Sequence, residues 1–337
     1  MAYPFEAGNA GGGCASKTSP NMRWWKRAWS SLRATPARHF APGRRNRAVL
    51  FEPLEPRLLL SADLSFLDSG NTDTELTLGF DASSAEYQLL DNSNDIVSSA
   101  AAANADDGGV VITGTSLDDI LSLDLTSLNS LTLTFLGTGN DTVRLVGDVD
   151  FELADDALQA GAETFSVLGA GAGVKSFENA EVTGGSSANT LVIGDWTGSF
   201  SFAGGADSDS LRGADDVNTW NVTGANQGTL DGNSFSSVEN LIGGFDDDTF
   251  NIQVGGSLSG DVEGGVASGG SALNSAVDTL DYGSFSGAVS IDIGAGTATA
   301  IGGFAGIETF IAGSHANDEL TASALDTQFN ITGPNAG

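Results

Sequence analysis

The sequence predicts an all-β chain, an irregular right-handed parallel β-helix or related solenoid, preceded by a largely disordered basic head with a short amphipathic helix. Three observations carry this expectation. From residue 63 onward, short β-branched and aromatic runs such as Thr132–Phe135, Thr190–Ile193 and Val289–Ile293 alternate with clusters of Gly, Asp, Asn and Ser, the pattern of many short strands joined by turns. Several of these words recur along the chain, as expected where small units gain a core only by stacking. Cys14 is the single cysteine, so the body forms no internal disulfide and must be held together by other means.

Charge divides the 337 residues in two. Residues 1–57 hold ten of the thirteen Lys and Arg residues against three acids, a net +7. The remainder holds Arg144, Lys175 and Arg212 against 41 acids, a net −38. The division predicts a basic head, 1–62, and an acidic Gly/Asp-rich β repeat region, 63–337. A body this acidic repels nucleic acid and anionic lipid, because neutralising phosphate requires a cationic surface. Nucleic acid is therefore not an expected partner.

Within the head, Met22–Ala34 places Met22, Trp25, Trp29 and Leu32 at intervals of three and four residues, with Arg23, Lys26, Arg27 and Arg33 mostly elsewhere around the wheel. The spacing predicts a short cationic amphipathic helix suited to an anionic membrane surface, with an export leader or unstructured tail as the alternative. No run reaches the roughly 18 apolar residues of a membrane span. Further on, Leu54-Glu55-Pro56-Arg57-Leu58-Leu59-Leu60-Ser61-Ala62 resembles the LEPR-XLL motif found near the N-terminus of very large bacterial surface and adhesin-like proteins. The resemblance covers about the first sixty residues. It implies export, a head that acts in sorting through a membrane or export machinery, a long repetitive body, and an extracellular or cell-surface location.

The clearest internal repeat links Trp220-Asn221-Val222-Thr223-Gly224 to Phe329-Asn330-Ile331-Thr332-Gly333, 109 residues later, and the same offset aligns Asp209 and Leu211 with Asp318 and Leu320. The later copy stops at Gly337, which predicts a repeat region interrupted partway and a longer natural chain. A second word, Phe235-x-x-Val238-Glu239-Asn240, returns as Phe304-x-x-Ile307-Glu308-Thr309 and loosely from Phe177 to Gly184. Uneven spacing of the turn threonines at 142, 190 and 249 predicts insertions between units. A multi-domain antiparallel β-sandwich is the competing fold.

The turns resemble degenerate copies of the RTX nonapeptide of hemolysin-type proteins, G-G-x-G-x-D-x-U-x, in which U is a large apolar residue. Gly137-Thr138-Gly139-Asn140-Asp141-Thr142-Val143 is the closest. Gly204–Leu211 and Gly243–Phe250 keep two leading glycines but carry Asp207 and Asp246 where the third belongs, and Gly313–Leu320 and Gly184–Leu191 are weaker. The stretch Asp278-Thr279-Leu280-Asp281-Tyr282 to Glu308 is similar to segments that precede such turns in large secreted bacterial proteins. The resemblance implies calcium, held through Gly139, Asn140, Asp141, Asp207, Asp209, Asp246, Asp247, Asp248, Asn317 and Asp318. Calcium takes six to eight oxygens. Because no two copies are adjacent in the sequence, the expected binding is weak, and the competing role of Asp and Asn here is to make turns and solvate the surface.

Catalysis is not expected. The body holds one histidine, His315, no cysteine and three scattered bases, which leaves nucleophilic triads and zinc sites without their residues. The sequence therefore predicts a non-enzymatic scaffold of adhesin or stalk type, whose partner is a surface ligand or polysaccharide, together with the rest of its own longer chain. The alternatives are a calcium-binding module of a secreted RTX-like effector and a polysaccharide-active β-helix enzyme.

Overall fold

The computed structural model describes residues 62–65, 75–102, 109–168, 175–265 and 276–321. The basic head with its expected helix, most of the Leu54–Ala62 motif and the second copy of the 109-residue repeat lie outside them. The described residues are all-β, with no α-helix, and all belong to one compact unit.

Strands of two to seven residues alternate inward and outward side chains, the period of two that a pleated strand imposes. Thr190–Ile193 and Thr249–Ile252 each bury two side chains this way, Leu191 and Ile193 in the first, Phe250 and Ile252 in the second. So few apolar residues per strand cannot make a core alone. Stacking supplies it.

The strands assemble into an eleven-stranded sheet, a thirteen-stranded sheet and a small three-stranded one, and most pairings are parallel. Chain segments cross repeatedly between the two large sheets, so each strand pairs with its counterpart from another pass. In the thirteen-stranded sheet, Thr219–Gly224, Thr249–Ile252, Thr279–Asp281 and Thr309–Ile311 lie side by side, with Trp220, Phe250, Leu280 and Phe310 in one register. In the eleven-stranded sheet Leu191, Leu211, Leu241, Val262 and Phe304 form the corresponding column. Trp220 stacks on Phe250 at 5.6 Å between ring centres, so like side chains pack on like through successive passes. This arrangement of long, parallel-rich sheets is compatible with a β-solenoid.

Three antiparallel meanders interrupt the parallel order. One runs through Phe151–Leu153, Ala157–Ala160 and Glu163–Leu168, a second through Thr219–Gly224, Gln227–Leu230 and Asn233–Ser236. The third, Glu75–Asp81, Glu86–Asp91 and Ile96–Ala101, ends the thirteen-stranded sheet. The first two are insertions within the stack. They do not fully explain the uneven turn spacing, because Thr142 and Thr249 open strands of one large sheet while Thr190 opens a strand of the other. Within one sheet the last passes are regular, at thirty residues from Thr219 to Thr249, Thr279 and Thr309.

The turns close tightly enough that glycine becomes a steric requirement. A Cβ at Gly243 would land on the carbonyl oxygen of Gly264 and on Oδ2 of Asp248. Neither can retreat, since one is backbone and the other is a buried side chain. Gly243→Ala is expected to destabilise the fold by about 1–3 kcal/mol through overpacking. Gly232, at φ 88° with nothing within 4 Å of a Cβ, sets the comparison, since Gly232→Ala there costs only the conformational strain, about 1 kcal/mol. Denaturant unfolding of the two variants measures the difference.

Candidate functional site

At most of the turns an acidic residue or asparagine stands immediately before a strand and opens the pattern acid, Thr or Ser, large apolar. Asp141-Thr142-Val143, Asp209-Ser210-Leu211 and Asp248-Thr249-Phe250 are examples, with Asn218-Thr219-Trp220 as an amide version. The apolar residue enters the core, which drags the acid two positions earlier beneath the turn. Asp141, Asp209, Asp248 and Asp278 are all at most 3% exposed. A carboxylate buried this deeply must find hydrogen-bond donors.

The donors are backbone amides of the neighbouring pass. Asn218 N–H donates to Asp248 Oδ1, Asp248 N–H to Asp278 Oδ1 and Asp278 N–H to Glu308 Oε2, at 2.8, 2.8 and 2.9 Å. The same chain of bonds runs from Asp119 to Asp141 to Glu178 at 3.0 and 2.9 Å. In the other large sheet it runs from Asn189 to Asp209 to Glu239, at 2.7 and 2.8 Å. The second oxygen often closes its own turn, as Asp119 Oδ2 accepts from Thr115 N–H and Asp248 Oδ2 from Gly244 N–H, both at 2.6 Å. Each such carboxylate thus ties a turn to itself and to the next pass.

The residues expected to hold calcium divide accordingly. Asp141, Asp209 and Asp248 belong to these ladders, and Asp318 extends the scheme by accepting Val289 N–H at 3.0 Å. Gly139, Asn140, Asp207, Asp246, Asp247 and Asn317 are exposed on the turn surface. Asn140 N–H donates to Asp118 Oδ1, and Asp247 Oδ1 accepts from Val277 N–H, both at 2.8 Å. Asn317 N–H points to Nδ1 of His315 at 3.3 Å. Asp207, standing where the nonapeptide has its third glycine, takes the left-handed backbone that glycine would supply, with φ 74°. The turns separated in the sequence are thus brought together by the stacking. Even so, among the described residues no group of three or more His, Cys, Asp or Glu side chains comes together in a way that could hold a metal ion.

Sequence reasoning missed Asp119, Asn189, Asn218, Asp278, Glu178, Glu239 and Glu308 as members of one system. The recurring Phe-x-x-Val-Glu word was the available signal. Glu239 and Glu308 occupy its glutamate position, and both accept the amide of the aspartate thirty residues earlier.

Cations in the described body serve acids of their own. Arg144 bridges Glu75 and Glu181, Lys175 approaches Asp155 at 3.3 Å and Arg212 meets Asp215 at 2.6 Å. None neutralises the ladders. Burial accordingly pushes Asp141 up to about 6, aided by the charges of Asp119, Glu178 and Asp118 and opposed by the Asp119 N–H bond. Asp278 is likewise pushed up to about 6 by burial, with Asp248, Glu308 and Asp247 adding repulsion. Burial also raises Asp209 and Asp248.

No protein-family model, no curated protein and no solved structure matches the chain.

The raised carboxylates fix the sign of a pH dependence. A group that binds its proton more tightly folded than unfolded contributes stability fully below its unfolded value, near 3.8, and loses it as pH rises through about 6. Asp81 is lowered by hydrogen bonds from Ser83 and Ser84 of its own turn and Asp148 by bonds from Ser187 and Ser186 of another turn, and both act oppositely, losing their contribution only in stronger acid. The melting temperature is therefore expected to rise by several degrees from about pH 8 to about pH 5 and to fall again below about pH 4. A calorimetric series in chelator checks this, and a melting temperature that drops steadily from pH 8 to pH 5 contradicts it.

Proposed function

We propose that this chain is a non-enzymatic scaffold of an exported cell-surface repeat protein, of adhesin or stalk type, built as an irregular right-handed parallel β-helix. Right-handed crossovers are the rule for parallel strands joined within one sheet. The observation that carries the reading is the use to which the acids are put. The aspartates that resemble calcium ligands at Asp141, Asp209 and Asp248 are spent on backbone amides of neighbouring passes, a role in building length. Repetition of a small stacked unit extends a molecule at constant cross-section, which suits display away from a surface.

Calcium takes second place in this proposal. Asp207, Asp246 and Asp247 expose carboxylates on the turn surface, where each offers only part of a six- to eight-oxygen shell, so binding there is weak and adds to a fold already formed. The acidic exterior keeps the scaffold soluble, and its partner is a surface ligand or polysaccharide. The basic head acts in sorting at the membrane or the export machinery.

An antibody raised against residues 75–321 tests the reading on intact, non-permeabilised cells of the source bacterium, before and after a chelator wash. Labelling in both conditions is expected. Labelling that appears only after permeabilisation sinks the surface assignment, and loss of a conformational epitope on chelation sinks the second place given to calcium.

A further inference from the structure

Five adjacent strands of the thirteen-stranded sheet, Thr249–Ile252, Thr219–Gly224, Gln227–Leu230, Asn233–Ser236 and Ser199–Ala203, send alternate side chains away from the core. None of these outward side chains is charged. One row crosses all five strands in register, through Asn251, Asn221, Thr229, Ser234 and Ser201. Acids close it at both ends, Asp281 beside Asn251 and Glu181 beside Ser201. Thr219, Thr223, Gln227, Ser234, Ser236 and Ser199 are exposed, and the chain is described without a break across 175–265. With neighbouring strands about 4.8 Å apart, the row runs for about 20 Å along the stack.

In a body of net −38, an uncharged area of this size selects what can lie on it. An acidic polymer is repelled by the surrounding body, and a basic one finds its counter-charges elsewhere. Protein interfaces draw on aromatic and large apolar side chains at their centre, and none points outward on these strands. The face offers hydroxyls and carboxamides, which both donate and accept hydrogen bonds. Two of the amides are held in place, since Asn251 Nδ2–H donates to Trp220 O at 3.0 Å and Gln253 Nε2–H to Asn221 Oδ1 at 2.9 Å. A chain of neutral sugars matches such groups, because its hydroxyls also do both and it brings no charge.

We infer that this face binds a neutral polysaccharide chain laid along the stack, across the strands. The inference rests on the reading of the chain as a surface scaffold with a polysaccharide partner, and it narrows that partner to an uncharged glycan. Hydrogen bonds to one sugar replace those the sugar makes with water, so a single unit gains little. A polymer touching several strands gains at each of them, and binding therefore grows with chain length. No ion pair takes part, so salt changes the contact little.

Depletion of the full chain from solution, in chelator, by insoluble cellulose, β-1,3-glucan and starch tests this at about 20 mM and about 500 mM NaCl. Binding to at least one of these neutral glucans is expected, alike at the two salt concentrations to within about twofold. Long soluble oligosaccharides of that glucan compete, whereas its disaccharide and the acidic polymer alginate do not. Ser234→Glu and, separately, Thr223→Glu place charge on the face at exposed positions, and each is expected to weaken binding about tenfold at the melting temperature of the parent chain. Gln159→Glu puts the same charge on an exposed position of the other large sheet and leaves binding unchanged. Absence of depletion by all three glucans overturns the inference and leaves the surface scaffold, which cell labelling tests separately, standing. Preference for alginate overturns it, and so does either folded face variant binding as the parent does.

Discussion

The backbone N–H that each turn donates to the buried carboxylate of the next pass is the interaction on which the rest of the structure depends. Short strands of three or four residues fix little by themselves, and two inward side chains per strand make a core only when passes stack in register. The carboxylate sets that register at the point where the chain leaves a turn and enters a strand. Asp248 receives the amide and side-chain N–H groups of Asn218 and closes its own turn through Gly244. One side chain therefore fixes the shape of a turn and the position of its neighbour. The column of Trp220, Phe250, Leu280 and Phe310 lies two residues beyond the same ladder.

Burying carboxylates at successive passes has a cost, and the sequence moderates it. Asn189 and Asn218 stand at ladder positions as neutral amides, and Asn218 spends its side-chain N–H groups on Ala214, Asp216 and Asp248. Glu178, Glu239 and Glu308 end their ladders with a longer side chain that accepts the last amide. Oδ2 of Asp209 and of Asp278 lacks a protein partner, and burial raises both groups. Hydrogen bonding thus stabilises the stack, while charge opposes it. The exposed acids on the turn surfaces face water and carry no such conflict.

Much of the fold was legible in the sequence. Short β-branched runs between Gly and Asp clusters predicted an all-β chain, and recurring words predicted stacked units. The thirty-residue pass from Thr219 to Thr309 was hidden because the turns of two sheets interleave along the chain, so threonines at 142, 190 and 249 looked irregular when taken as one series. The acid before each strand was visible at Asp141, Asp209 and Asp248 as a calcium motif, because a metal ligand and an amide acceptor use the same carboxylate in the same Gly-rich turn. What separates the two roles is burial and the identity of the donors, which depend on contacts 20 to 37 residues away. Sequence spacing alone does not encode those contacts, and Asp278 was legible only as the start of a stretch that precedes a turn, because fourteen residues separate it from Gly264, the glycine that packs against it.

A ladder aspartate acts as an acceptor of backbone N–H groups, and its charge is a cost. Asp278→Asn and Asp278→Ala separate these, because asparagine keeps the oxygen that accepts Asp248 N–H and removes the charge beside Asp248 and Glu308, while alanine removes both. Denaturant unfolding in chelator at about pH 7.5 should place the Asn variant within about 1 kcal/mol of the parent chain or above it, and the Ala variant about 1–3 kcal/mol below, the cost of stranding a buried donor. An Asn variant as unstable as the Ala variant, or an Ala variant as stable as the parent, would contradict the claim.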